Sequence, residues 1–249
     1  MINEDEELKQ LPFPFGSPNL MSRDDFMVTD CNREAFQMID LWPNWPANGL
    51  IIYGPEGCGK SHLAHIYIDK VRQLETDKGC VGIVDAAQIK MKNVERLSMS
   101  YRHLAIENLT AKIDNEALFH LFNIYNNEAN RTMLWTANIA PGRMHFALKD
   151  LQSRLKMLPS VAIKEPDDMM MQTLILKLFN DRQIIITPEM LEYIVLNARR
   201  SFAYVRQLVE EIDAVSLAYQ QSVNYFIVKK AIDILAQRED KQPDLFDGW

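Results

Sequence analysis

Between residues 50 and 163, short apolar runs alternate with stretches whose apolar residues recur at helical spacing. The runs Leu50–Tyr53, Val81–Asp85, Leu104–Glu107, Met133–Thr136 and Val161–Ile163 are too short for buried helices and rich in Val, Ile and Leu, which predicts five strands. Near-continuous apolarity, rather than strict alternation, is the pattern of strands covered on both faces, as in a parallel sheet. Between them the pattern predicts helices over Lys60–Leu74, Asn115–Asn126 and Leu148–Leu155. After Pro166 the strands stop. Asp167–Arg182, Pro188–Arg199, Phe202–Tyr219 and Asn224–Gln237 carry helical periodicity, with acidic residues opening the first and Thr187-Pro188 capping the second. The expectation is an α/β core over residues 20–165, a small all-helical domain over 166–236, and tails at 1–19 and 237–249.

Composition narrows the class. The chain has 249 residues, 47% hydrophobic and 24% charged, enough for a sizeable core. A net charge of -7 argues against gripping nucleic acid over the whole surface, so any DNA contact is expected to be indirect or weak. No apolar run approaches the length of a membrane span, and the opening Met1-Ile-Asn-Glu-Asp-Glu-Glu is acidic where a signal peptide is basic. Three scattered cysteines, Cys31, Cys58 and Cys80, show no metal-ligand spacing and fit a reducing compartment, so a cytoplasmic protein is expected. Whether the chain forms a homodimer stays open.

Gly54-Pro55-Glu56-Gly57-Cys58-Gly59-Lys60-Ser61 satisfies the phosphate-loop pattern G-x-x-x-x-G-K-[ST] at every fixed position, after a predicted strand and before a predicted helix. Glycines let the backbone curl so that its N–H groups face phosphate, the helix start adds positive partial charge, Lys60 reaches the terminal phosphates and the Ser61 hydroxyl ligates Mg²⁺. His62 follows within the first turn. A chance glycine-rich turn is the alternative. The ligand read from this motif is ADP or ATP with Mg²⁺. The metal also needs a carboxylate at a strand tip; Glu107 is the first candidate and Asp85 the competitor. The position after Glu107 is Asn108, an amide that takes no proton from an attacking water, so unaided hydrolysis is expected to be slow.

Several segments in order extend the pattern. Asp25-Phe26-Met27-Val28 with Asn32-Arg33-Glu34-Ala35, Leu134-Trp135-Thr136-Ala137-Asn138, Leu148–Leu155 and Ser201–Leu208 together resemble the additional-strand P-loop ATPases (AAA+), and within them the DnaA branch. The resemblance implies that the first pair of segments flanks the adenine, that Thr136 is the sensor 1 residue, Arg154 an arginine finger and Arg206 the sensor 2 arginine. The alternative reading of these residues pairs Arg154 with Asp150 and Arg206 with Glu210, each one helical turn away. Glu107 stands where the family usually has Asp, a longer side chain. With 249 residues, the chain is expected to lack the helix-turn-helix domain of a full initiator.

That layout resembles the Hda-type DnaA homologues, regulators that inactivate the initiator. The resemblance implies docking on the sliding clamp (the DNA polymerase III beta subunit) through a Q-L-x-L-P-L peptide, to which Gln10-Leu11-Pro12-Phe13-Pro14-Phe15 is similar. It also implies DnaA as the partner whose bound ATP is hydrolysed. The other reading of Phe13 and Phe15 is that they staple the tail to the chain's own core. Gln242-Pro243-Asp244-Leu245-Phe246 resembles the five-residue clamp peptide, as a second docking site or a locally packed end. Two further readings are a DnaC-like helicase-loader ATPase acting on DNA and a scaffold derived from a DnaA module.

Overall fold

The computed structural model describes residues 21–75, 80–128 and 130–240, with no side-chain description for 239 and 240. In chain order the elements are α1 (Arg33–Leu41), β1 (Gly49–Tyr53), α2 (Lys60–Leu74), β2 (Val81–Asp85), α3 (Val94–Ser100), β3 (His103–Leu109), α4 (Asn115–Asn127), β4 (Thr132–Ala137), α5 (Lys149–Met157), β5 (Ser160–Ala162), α6 (Asp168–Asp181), α7 (Pro188–Asn197), α8 (Phe202–Tyr219) and α9 (Tyr225–Asp240). The strands form one parallel sheet in the order β2-β3-β4-β1-β5. The five predicted strands and seven predicted helices are all present, with ends displaced by up to three residues. Two helices, α1 and α3, were not predicted.

Alternation along each strand explains the double-sided apolarity. Leu50 and Ile52 of β1, Ala105 of β3 and Leu134 of β4 face α1 and α2. Ile51, Leu104, Ile106, Met133 and Trp135 face the other way, against α4 and α5. A third apolar cluster, with Ile175, Val205, Leu208, Ile212 and Val228, lies among α6 to α9. The helix starts follow capping chemistry: Asp114, Asp167, Thr187 and Ser201 each accept a backbone N–H from the first turn. Arg199 and Arg200 lie exposed just before α8. Arg200 donates to the Pro166 carbonyl and to Asp168 at 2.6 Å, and Arg199 lies over Tyr204.

At the N-terminal edge of the sheet, Thr132 is a buried hub. Trp42 Nε1 donates to its hydroxyl at 3.1 Å, and the Tyr67 hydroxyl and His103 Nδ1 each lie 2.7 Å from it. One hydroxyl therefore ties β3, β4, α2 and the segment after α1. Thr132→Val keeps the volume and removes the oxygen, leaving buried polar groups unsatisfied. It is expected to cost about 1–3 kcal/mol, seen as a lower urea midpoint with an unchanged slope.

Candidate nucleotide site

β1 runs into the 54–59 loop and α2 begins at Lys60. Gly57 and Gly59 hold φ values of +70° and +101°, which side-chain-bearing residues rarely adopt. At Gly54 a Cβ would lie 2.4 Å from the Ile163 carbonyl oxygen, so only glycine lets β1 leave the sheet there. Lys60 is 8% exposed and its ammonium donates to the carbonyls of Gly54 (2.9 Å) and Pro55 (2.7 Å). Burial pushes its pKa down, opposed by nearby Cys58, Glu56 and Glu107. Burial likewise pushes the Cys58 thiol up, against the pull of Lys60. Ser61 is exposed at the helix start.

The carboxylates meet at the strand ends. Asp85 and Glu107 are register partners on β2 and β3. Beyond Ile106 the β3–β4 ladder slips: Ile106 faces Trp135 while Leu109 faces Ala137, so Glu107 and Asn108 together oppose Thr136. This bulge is built around Asn108, which has φ +58°, an amide N–H donated to Thr136 Oγ1 at 3.2 Å, and a side-chain amide donated to Asp85 Oδ2 at 2.6 Å. The other Asp85 oxygen accepts from Ala87 N–H. Each Asp85 oxygen thus already accepts one bond, whereas Glu107 Oε1 is buried with no hydrogen-bond partner among the described residues. Of the two candidate metal ligands, Glu107 keeps the more acceptor capacity unused.

Two outer segments close on the loop. The Phe26 ring is 3.3 Å from where a Gly59 Cβ would stand, stacks on Phe36 at 5.5 Å, and meets the His62 ring edge-on at 5.0 Å. His62 Nε2 donates to the Ser22 carbonyl at 2.7 Å, and burial lowers its pKa. On the other side the first turn of α8 abuts Gly57. Ala203 N–H donates to the Gly57 carbonyl at 3.3 Å, and a Cβ on Gly57 would come within 2.2 Å of Ser201 Oγ. Arg206, half-buried on α8, lies close enough to His62 for their charges to interact, and Glu210 pairs with Arg182. The Arg206–Glu210 pair, the alternative reading of these residues, does not form. Nor does Arg154 pair with Asp150: it is exposed on α5, with its guanidinium 5.6 Å from the Phe119 ring of α4.

These placements bring Gly54 to His62, Glu107, Thr136 and Arg206 to the C-terminal edge of the sheet and the start of α8. Gln10, Leu11, Phe13, Phe15, Gln242, Leu245 and Phe246 lie outside the described residues. The Phe26–Phe36–His62 cluster and the Asn108–Asp85 bond escaped the sequence, although Phe26 lies in the segment tied to the adenine.

Comparison with known proteins fits this geometry. The family profile for the bacterial DnaA ATPase domain matches residues 21–162, more than half of the chain. The chain belongs to that family. Among curated relatives, the chromosomal replication initiator DnaA of Buchnera aphidicola is 23% identical over 211 residues, covering 77% of this chain and 47% of that protein. DnaA of Spiroplasma citri is 28% identical over 198 residues, covering 70% of this chain and 43% of that one. The chain thus spans about half the length of the curated relatives it matches. Among solved structures, domain III of Thermotoga maritima DnaA superposes with a TM-score of 0.73 at 19% identity, covering 91% of this chain and 99% of that one. AMPPCP-bound DnaA from Aquifex aeolicus gives 0.68 at 16% identity, covering 90% and 71%. The RuvB branch-migration motor of Thermotoga maritima gives 0.66 at 17%, covering 86% and 72%. The DnaA-family chain therefore has the AAA+ fold: a five-stranded parallel core followed by a helical region. No described helix is long and apolar enough to cross a membrane.

The Gly57 contact is testable in isolation. Gly57→Ala imposes a left-handed alanine, worth about 1–2 kcal/mol, and drives a methyl into Ser201 and Ala203. The expected result is a folded protein of lower stability, with faster amide exchange over residues 201–206.

Proposed function

We propose that this chain is a nucleotide-bound regulator of chromosomal replication initiation, which docks on the sliding clamp and promotes hydrolysis of ATP held by the initiator DnaA. The observation that carries the reading is the contrast between two groups. The chain's own metal-side carboxylate is followed by Asn108, whose amide is committed to Asp85. Arg154, by contrast, is exposed, held over Phe119 and without a carboxylate partner among the described residues. A site short of a second acid favours holding nucleotide over turning it over, and an outward cation favours work on another molecule's site.

The residues fit the ligand. Gly57 and Gly59 supply the left-handed turns of a phosphate cradle, and Lys60 is already buried beside it. Glu107 Oε1, buried and without a partner among the described residues, fits a hard cation, with the exposed Ser61 hydroxyl as second oxygen. A bound Mg²⁺ would neutralise phosphate charge. In this reading ADP or ATP takes over the Lys60 hydrogen bonds now made to Gly54 and Pro55, and Phe26 flanks the base. Arg206 on α8 reaches the terminal phosphate and Thr136 keeps the bulge in register. Gln10, Leu11, Phe13 and Phe15 dock on the clamp, with Gln242, Leu245 and Phe246 as a second candidate. Arg154 enters the initiator's ATP site, where an arginine stabilises the charge of phosphoryl transfer.

Calorimetry with ADP and Mg²⁺ should show binding by the native chain and none by Lys60→Ala; no affinity in the native chain overturns the nucleotide role. In an assay of clamp-dependent ATP hydrolysis by DnaA, Arg154→Ala should lose on the order of 10³-fold of the stimulation. It should still be retained by immobilised clamp, whereas Phe13→Ala with Phe15→Ala should not. Full stimulation by Arg154→Ala sinks the action in trans.

A further inference from the structure

At the edge of the sheet opposite the phosphate loop, three metal-ligating side chains converge. Glu75 ends α2, Cys80 precedes β2 and His103 opens β3; one ligand atom from each lies within 4.8 Å of the others. Backbone geometry fixes the group: the N–H groups of Arg102 and His103 both donate to the Cys80 carbonyl, at 2.6 and 2.9 Å. Cys80 is 5% exposed and His103 2%. His103 Nε2 is buried with no hydrogen bond among the described residues and lies 3.5 Å from Glu75 Oε1. That separation suits two ligands of one ion: bonds of about 2.0–2.3 Å at tetrahedral angles put ligand atoms about 3.3–3.8 Å apart.

We propose that Glu75, Cys80 and His103 form a binding site for a divalent d-block cation of the zinc class. The donor set is a thiolate, an imidazole nitrogen and a carboxylate oxygen, which selects zinc-like ions over Mg²⁺ or Ca²⁺. His103 is oriented for it. An Nδ1–H donating to the Thr132 hydroxyl, 2.7 Å away, leaves the Nε2 lone pair for the metal, and the hydroxyl's own hydrogen turns to Tyr67. Glu75 is half-buried and pairs loosely with Arg102 at 3.7 Å, which gives the ion an entry side. Three protein ligands leave a fourth position for water. The ion would join the end of α2 to the starts of β2 and β3, so it acts on the helix whose other end opens at the phosphate loop. The thiol must lose its proton on binding, so uptake weakens as pH falls.

Titrating the tag-free, fully reduced chain with Co²⁺ in the presence of Mg²⁺ and ADP tests this. One equivalent should produce a thiolate-to-cobalt charge-transfer band in the near ultraviolet and the intense visible bands of tetrahedral cobalt. Zn²⁺ should remove both. Cys80→Ser should abolish the charge-transfer band, Glu75→Gln should weaken binding about tenfold or more, and Cys31→Ser should change neither. His103 is built into a buried network, so replacing it would mix loss of the site with loss of the fold; the Cys80 and Glu75 variants avoid that. Absence of the band at one equivalent, or its persistence in Cys80→Ser, overturns the site.

Discussion

Five strands that all run the same way must end on the same edge, and that constraint assembles the chemistry of this protein. The phosphate loop leaves β1, Asp85 and Glu107 close β2 and β3, and Thr136 sits near the end of β4, all on one side. Crossover helices make the arrangement possible, because a parallel neighbour is reached only by returning over the sheet face. The consequence is that both faces must be apolar. Leu50 and Ile52 pack against one helical layer and Ile51 against the other, so the strands read as unbroken hydrophobic runs.

Within that edge the bulge at Glu107 and Asn108 makes the finer adjustment. A regular β3 would alternate its side chains to opposite faces. Inserting one residue opposite Thr136, with Asn108 in the left-handed region, changes the direction of the strand end. Asparagine suits this place on two counts. It tolerates positive φ better than most residues, and its amide reaches Asp85. The same bond uses acceptor capacity on Asp85 and leaves Glu107 with the more to spare. The residue that makes hydrolysis slow in the proposed scheme is thus also the one that shapes the bulge.

What the sequence showed, and what it hid, follows from how each feature is encoded. Strands, most helices and the phosphate loop are contiguous patterns, and they were legible as such. Asp85 and Glu107 could not be separated by spacing, because the difference lies in which oxygens are already bonded. Cys80 and His103 are far apart along the chain and carry no metal-ligand spacing; the register Val81↔His103 brings them together. The roles of Arg200 and Arg154 were equally hidden. Their partners, Asp168 and Phe119, lie on other elements, so a search for charges one helical turn away pointed Arg154 at Asp150 instead. The short helix α3 left too little periodic sequence to detect.

The phosphate loop is also held by its own lysine. Lys60 is not waiting in solvent: it donates to two carbonyls of the very loop it would help load. Those bonds stabilise the curled backbone. They must then be exchanged for phosphate oxygens, and hydrogen bonds from a charged donor are each worth about 1.5–3 kcal/mol. Burial lowers the ammonium's basicity, and a neighbouring anion would stabilise its charge more than carbonyl dipoles do. The Gly57 carbonyl is held meanwhile by Ala203 at the start of α8. Any shift of the loop on binding therefore reaches the helical region through one backbone hydrogen bond, which no side chain on Gly57 could accommodate.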